Sequence, residues 1–160
     1  MSPNPYSEPT IKVPRFEESL GFYTTPVRSK TMARIRGKDT KPEMKFRKVL
    51  WHSGVRFRVN KIGLPGKPDI ANKRLKFVVF IDGEFWHGKD WESKKMSIKS
   101  NRKFWIPKIE RNIQRDQEIN FQLSKLGFRV FRFWQGDIEK NCGGCLMKVL
   151  SYIESRTSYS

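Results

Sequence analysis

The stretch LPGKPDIANKRLKFVVFID, residues 64–82, contains the turns and strands that decide the fold. LPGKPD is a turn, because its two prolines and its glycine exclude a helix. Residues 69–71 predict a short strand, residues 72–74 a turn, and residues 75–82 a largely buried strand rich in β-branched residues. In an antiparallel hairpin the start of the first strand lies beside the end of the second. The hairpin therefore predicts that Asp69 and Asp82 lie at the same end of the sheet.

A helix is predicted before this hairpin. It starts at TKPE, where Thr40 is a good N-cap, Pro42 suits the first turn and Glu43 completes a capping box. Gly54 ends the helix. VRFRVN, residues 55–60, then predicts a strand in which apolar residues alternate with arginine.

The second half of the chain repeats this alternation of helix and strand. Residues 102–126 have apolar residues at helical spacing and end at Gly127. FRVFRFW, residues 128–134, predicts a strand, and residues 137–154 predict a final helix. The order of elements indicates an α/β fold with one central sheet.

Charge is the strongest bulk signal. The 160 residues include 33 Lys and Arg against 16 Asp and Glu, a net charge of +17 with an isoelectric point near 10.2. Such an excess favours a polyanionic partner, and an aromatic content of 13% indicates a folded protein rather than a disordered basic tail. The sequence has neither a long apolar run nor a signal peptide, so we expect a nucleic-acid-binding protein of the cytoplasm, without a membrane partner.

The length fits one domain. Residues 1–27 are rich in proline and predict an N-terminal extension that is extended or mobile. Residues 28–156 are expected to form the single domain, and residues 157–160 a C-terminal tail.

The hairpin predicts a metal site. Two carboxylates, Asp69 and Asp82, could share a Mg²⁺ ion, which prefers oxygen ligands, and the backbone carbonyl of Ile81 could supply another oxygen. His87 follows in GEFWHG and could act on a bound water or on a leaving group. In a basic protein the natural substrate of such a metal is a phosphodiester.

Each of these residues also has a purely structural interpretation. Asp69 follows a proline and Asp82 precedes a glycine, so both could be turn residues. Glu43 could serve only the capping box, and His87 could be structural. The joint occurrence of PD, a buried strand and GEFWHG favours the functional interpretation.

Five segments resemble the very-short-patch mismatch repair (Vsr) endonucleases, which are bacterial enzymes related to the restriction-endonuclease-like nucleases with a PD-(D/E)xK core. The segments lie between residues 29 and 134 and read SKTMARIRGKDTKPE, LPGKPD, VVFIDGEFWHG, KFWIPKIERNIQRDQE and GFRVFRFW. The resemblance implies a restriction-endonuclease-like core, with a mixed central β-sheet flanked by helices. It also implies a Mg²⁺-dependent enzyme that nicks duplex DNA beside a T·G mismatch left by deamination of 5-methylcytosine.

The resemblance assigns roles to the residues of the reaction centre. Asp69 matches the metal-binding aspartate of the family. Ile81 sits where the family has a threonine whose backbone carbonyl binds the metal, and a carbonyl survives a change of side chain. His87 matches the catalytic histidine, and Glu43 matches a glutamate near the active site.

The resemblance also implies that apolar side chains enter the DNA stack. Phe85, Trp86 and Trp105 match wedge residues, whose flat rings can replace lost base stacking at a mismatch. The other residues with a match are Met32 and Ile35, which enter from the opposite groove, and Lys108 and Asn112, which lie near the mismatched bases. The alternative for Trp105 is packing in the core, and Arg115 and Asp116 are interpreted as residues that hold their helix in place.

The sequence departs from the family at two sites. Glu84 occupies the position of the first cysteine of a family zinc site, and GKDW and Gly136 supply none of its other ligands, so we expect no zinc, with Trp91 packing in its place. Cys142 and Cys145 lie too far along the chain to match. Asp82 stands where the family has a second histidine; we interpret it as a metal ligand, and the alternative is that it abolishes activity.

The expected partner is double-stranded DNA. By resemblance the protein is a monomer, associated with the bacterial nucleoid, that works beside a DNA cytosine methyltransferase and mismatch-repair proteins. Three other functions stay open at this point. They are a nicking or restriction-like endonuclease of different specificity, a DNA-binding module without catalysis, and an RNA-binding protein with an accidental acidic pair.

Overall fold

The computed structural model describes residues 8–35, 37–60 and 62–158. Its helices are α1 (Pro26–Ala33), α2 (Lys41–His52), α3 (Trp91–Lys94), α4 (Arg102–Lys125) and α5 (Gln135–Thr157), with 3-10 turns at Glu18–Leu20 and Lys95–Ser97. Its strands are β1 (Arg58–Val59), β2 (Ile70–Asn72), β3 (Phe77–Asp82) and β4 (Arg129–Trp134). None of the described helices is long and apolar enough to span a bilayer.

The described residues group into two compact units. The first contains the residues up to Gly37 together with Glu84–Glu118, and the second contains Lys38–Gly83 and the residues from Ile119 onward. The second unit holds the sheet, and the first holds α1, α3 and most of α4.

The sheet has the order β1-β2-β3-β4 and is mixed. β1 and β3 each pair antiparallel with β2, whereas β4 pairs parallel with β3. The predicted hairpin is therefore present, and the predicted α/β fold with a mixed central sheet flanked by helices is confirmed.

Both faces of β3 are buried, which explains its nearly continuous apolar sequence. On one face, Phe77, Val79 and Ile81 pack in a core with residues of α2 and α5, including Phe46, Leu50, Ile138, Cys145 and Val149. On the other face, Val78 and Phe80 pack with Leu123 near the end of α4. The strand that carries Asp82 is thus fixed from both sides.

One local prediction was wrong, and one helix was missed. β1 has two residues where six were expected, because the run from Val55 pairs with β2 only at Arg58 and Val59. α1 was not predicted, although its start carries ordinary signals: the Thr25 hydroxyl accepts a hydrogen bond from the Arg28 N–H, and Pro26 occupies the first turn.

Candidate active site

Asp69 lies directly before β2, where the LPGKP turn enters the sheet. The turn packs so closely that a Cβ on Gly66 would lie 2.7 Å from the Ile119 Cγ2 atom, and Gly66 has a φ of +75°. Only glycine fits this position. The turn directs the Asp69 carboxylate toward β3, where its Oδ2 atom accepts a hydrogen bond from the Ile81 N–H at 2.7 Å.

The hairpin register places Asp69 and Asp82 on the same face of the sheet. Ile70 is opposite Val79, so Asp69 lies beside Phe80, and Asp82 is two residues further along β3. Side chains two residues apart on a strand point to the same face. The sequence prediction that the hairpin brings these two aspartates to one end of the sheet agrees with this register.

Three carboxylates lie near one another at this end of the sheet. The pKa of Asp69 is raised to about 7, with burial as the main cause. The negative charges of Glu43 and Asp82 add to the rise, and the Ile81 hydrogen bond and the charge of Arg47 oppose it. Carboxylates crowd in this way where a cation is to be held, because each one disfavours the charge of the next. The cluster therefore suits a divalent cation with oxygen ligands.

The raised pKa predicts a pH-dependent effect of Asp69→Asn on stability in the absence of divalent cations. The folded pKa of about 7 exceeds the ordinary value of 3.8, so the stability contributed by protonated Asp69 is lost as the pH rises through 7. We expect the variant to exceed the wild type in free energy of unfolding at pH 8 by on the order of 2–4 kcal/mol, and by much less at pH 5. Urea unfolding with EDTA at the two pH values measures the difference, and equal differences at both would contradict the assignment.

Glu43 is held by a network at the start of α2. Thr40 caps the helix as predicted, and the Glu43 Oε2 atom accepts from the Asp39 N–H at 2.7 Å, one residue before the cap. Arg47 donates to Glu43 at 3.3 Å and to Asp39 at 2.7 Å, and Asn60 also donates to Asp39. Glu43 is 3% exposed. It therefore combines the capping role with a fixed place near Asp69.

Asp82 is paired with an arginine that the sequence analysis did not identify. Arg132 of β4 donates from Nη1 to both carboxylate oxygens of Asp82, at 3.0 and 3.3 Å. The guanidinium lies over the Phe80 ring, 4.1 Å from its centroid, and its Nε atom donates to Asn120 at 2.7 Å. Asp82 is therefore a buried, oriented carboxylate rather than a turn residue.

His87 belongs to the first unit, where it contacts Asp116 of α4. The His87 Nδ1 and Asp116 Oδ2 atoms are 2.6 Å apart. The sequence analysis did not identify this contact, which places Asp116 against the imidazole. Asp116 lies one helical turn after Asn112, which donates to the Trp86 carbonyl at 2.9 Å.

The FWHG loop lies directly on α4. A Cβ on Gly88 would lie 2.4 Å from the Ile113 Cδ1 atom, and Gly88 has a φ of +68°, so glycine is required after His87. Together with the Asn112 hydrogen bond, this close packing fixes the backbone on which the imidazole and the neighbouring aromatic residues are carried.

Phe85, Trp86 and Trp105 form one aromatic cluster in the first unit. Their ring centroids are 5.3 to 5.7 Å apart, with edge-on geometry in each pair. Phe85 is 46% exposed, and both tryptophans are half-buried. Trp105 is thus neither fully exposed nor an ordinary core residue, and the cluster presents apolar surface.

The remaining predicted DNA-contacting residues are also accessible. Met32 on α1 is 38% exposed, and Ile35 just after α1 is 50% exposed. Lys108 is half-buried one turn before Asn112. In the region of the family zinc site, the Trp91 indole N–H donates to Glu110 at 3.3 Å. The DNA-contacting roles of Met32, Ile35 and Lys108 stay predictions.

A mixed sheet with an acidic hairpin end, in a basic protein, fits a restriction-endonuclease-like nuclease. The family model described as DNA mismatch endonuclease Vsr matches residues 21–93. The chain belongs to this Vsr family and is a DNA endonuclease.

Curated relatives support this membership. The chain is 47% identical over 137 residues to the Type II nicking enzyme V.NmeDIP of Neisseria meningitidis serogroup C, across 86% of this chain and 93% of that protein. It is 50% identical over 119 residues to the Type II nicking enzyme V.HpaIIP of Haemophilus parainfluenzae, across 74% and 84% of the two proteins. It is 35% identical over 108 residues to the DNA mismatch endonuclease Vsr of Escherichia coli (strain K12), across 68% and 69%.

Proposed function

We propose that this endonuclease nicks one strand of duplex DNA beside T·G mismatches that arise from deamination of 5-methylcytosine, and that it requires Mg²⁺. The observation that carries the metal-dependent part is Asp69, a carboxylate whose pKa is raised to about 7 beside Glu43 and Asp82. A protein keeps such a destabilising group where a bound cation offsets it.

The residues present fit Mg²⁺, because the donors at this end of the sheet are oxygens. Asp69, Asp82 and the backbone carbonyl of Ile81 would hold the ion. Asp82 already accepts from Arg132, but a carboxylate has about four lone-pair sites, so the ion pair leaves it able to coordinate. Bound Mg²⁺ supplies Lewis-acid chemistry, which polarises a phosphodiester for attack by water.

His87 is proposed to transfer the proton of the reaction. Hydrolysis adds water across one P–O bond, so a proton leaves the attacking water and another reaches the leaving oxygen. The contact of Asp116 with Nδ1 orients the imidazole and makes Nε2 the nitrogen that acts, either on the water or on the leaving group.

Mismatch recognition is proposed for the aromatic cluster. Phe85, Trp86 and Trp105 would enter the duplex from one groove and Met32 and Ile35 from the other, with Lys108 and Asn112 near the mismatched bases. Opening a mismatched step costs less than opening a paired one, so an inserted apolar wedge favours mismatched DNA. The exposed face of Phe85 and its ring contacts with both tryptophans support this role.

Trp86→Ala is expected to lower the preference for T·G over matched duplex by about ten-fold, since one stacked base is worth on the order of 1–3 kcal/mol. The measurement is the ratio of dissociation constants for the two duplexes, with EDTA present to prevent nicking. Trp51→Ala is the matched control, because Trp51 is a 48% exposed tryptophan on α2 of the second unit and is assigned no role in the wedge. An unchanged ratio in Trp86→Ala would mean that Trp86 only packs.

A second candidate is a nicking endonuclease of another site preference, favoured by the relatives whose names are Type II nicking enzymes. One experiment separates this candidate from the mismatch enzyme. Wild-type protein is incubated with Mg²⁺ and two sets of duplexes, one that carries T·G mismatches in varied sequence contexts and one that is fully matched. Nicking of T·G duplexes alone supports the mismatch enzyme, equal nicking of matched DNA supports the second candidate, and binding without nicking supports a non-catalytic module.

We further propose that the protein acts as a monomer beside a DNA cytosine methyltransferase and mismatch-repair proteins.

A further inference from the structure

The N-terminal strap, residues 9–23, is bound to α4 by a buried amide. The Gln114 side chain is 7% exposed, and it pairs with the strap twice: its Oε1 atom accepts from the Ile11 N–H and its Nε2 atom donates to the Pro9 carbonyl, each at 3.0 Å. A buried amide is costly unless its donor and acceptor are satisfied, and here backbone groups of the strap satisfy both. The strap is therefore attached to α4 by specific hydrogen bonds.

A second amide holds the other end of the strap. The Asn101 side chain donates to the Tyr23 carbonyl at 2.9 Å and accepts from the Tyr23 N–H at 3.4 Å. α1 begins at Pro26, three residues later, and its Arg28 donates to the Ser100 hydroxyl at 3.4 Å. These contacts attach the end of the strap and the start of α1, the helix that carries Met32, to the loop that precedes α4.

Aromatic rings connect the strap to the aromatic cluster. Phe16 and Phe22 stack at 5.8 Å, and both contact the Phe104 ring, at 4.9 and 5.7 Å. Phe104 in turn lies edge-on to Trp105 at 5.0 Å. Ring contacts therefore run without a break from the strap to the residues assigned to the DNA wedge.

We propose that the strap is a specificity device, in which Gln114 and Phe16 are positioning residues that hold the wedge ready to enter mismatched DNA. The inference rests on the proposed function of the wedge. A rigid wedge loses less conformational freedom when it inserts, so it discriminates between duplexes by the cost of opening them. Contacts of a basic protein with DNA phosphates carry no information about the mismatch, so loosening the wedge should lower discrimination more than overall affinity.

The test compares Gln114→Leu and Phe16→Leu with wild type in binding to T·G and matched duplexes. Gln114→Leu removes both hydrogen bonds to the strap, together with one that Oε1 accepts from Arg111, at similar volume. Phe16→Leu removes the ring from a residue that is 38% exposed, so folding is preserved in at least the second variant. We expect each variant to lower the T·G preference three- to ten-fold with affinity for matched DNA unchanged. Gln114→Glu, which keeps the acceptor for the Ile11 N–H, should restore part of the preference.

Gln117→Leu is the control, because Gln117 is exposed on the same helix. If both strap variants keep the wild-type preference, or lose affinity for the two duplexes equally, the strap has only a structural role and the proposal is overturned. If Trp86→Ala also keeps the preference, the role proposed for Trp86 in the wedge fails first, so failure of the proposed function is distinguishable from failure of the strap.

Discussion

Asp69→Asn is expected to reduce nicking by about a thousand-fold or more, with folding and duplex binding retained. The asparagine oxygen can still accept the Ile81 N–H, which is 2.7 Å from the carboxylate in the wild type, so the hairpin end is preserved. The amide has no negative charge with which to hold Mg²⁺, and a metal that stabilises the charge of the transition state is among the largest contributions to such a reaction.

The measurement is single-turnover nicking of a labelled T·G duplex with saturating Mg²⁺, followed on a denaturing gel. Asp137→Asn serves as the control, since Asp137 is an exposed aspartate in the first turn of α5 and its loss changes net charge equally. Melting temperatures with and without Mg²⁺ give a second readout: the ion should raise that of the wild type and leave that of Asp69→Asn unchanged. Substantial nicking by Asp69→Asn would remove this residue from the metal site.

The fold could be predicted where local signals agree with burial. The sequence predicted the Thr40 N-cap, the turn before Asp69 and the buried strand β3. The helix α4 ends within one residue of its predicted end. β1 could not be bounded, because only pairing with β2 distinguishes its two strand residues from the extended chain before them.

The candidate site was predictable only in part, for a physical reason. Asp69 and Asp82 are related by a hairpin, which the sequence encodes locally. The partners Arg47, Arg132 and Asp116 depend instead on where helices and a parallel strand are placed, and spacing alone does not give those positions. In a chain of net charge +17, nothing in the sequence distinguishes Arg47 and Arg132 from the other basic residues.

The partners change the chemistry that the sequence suggests. Arg132 offsets the charge of Asp82, and Arg47 offsets that of Glu43, so the acidic end of the hairpin is less negative than its carboxylates alone would make it. Asp69 differs, because burial is the main cause that raises its pKa to about 7 and the lowering effect of Arg47 is smaller than the raising effects of Glu43 and Asp82. This contrast singles out Asp69 as the ligand with the most to gain from a bound cation.

His87→Ala is expected to lower the nicking rate by about 10²–10⁴-fold at saturating Mg²⁺, the usual contribution of a positioned general acid or base. The chain has two histidines, and His52→Ala is the matched control because His52 is exposed at the end of α2. Binding of the T·G duplex should be retained, since the aromatic cluster and not the imidazole is assigned to recognition. Wild-type rates in His87→Ala would exclude proton transfer by this residue.

Asp116 is expected to affect the reaction by orienting the His87 imidazole. Asp116→Asn should slow nicking by about 10–100-fold, because the 2.6 Å contact with Nδ1 is weakened while the shape of the side chain is kept. In the double variant with His87→Ala the Asp116 substitution should have no further effect, since Asp116 acts on the reaction only through His87. If the two effects multiply instead, Asp116 contributes independently, and the assignment of His87 as the proton carrier oriented by Asp116 fails even where each single variant is slow.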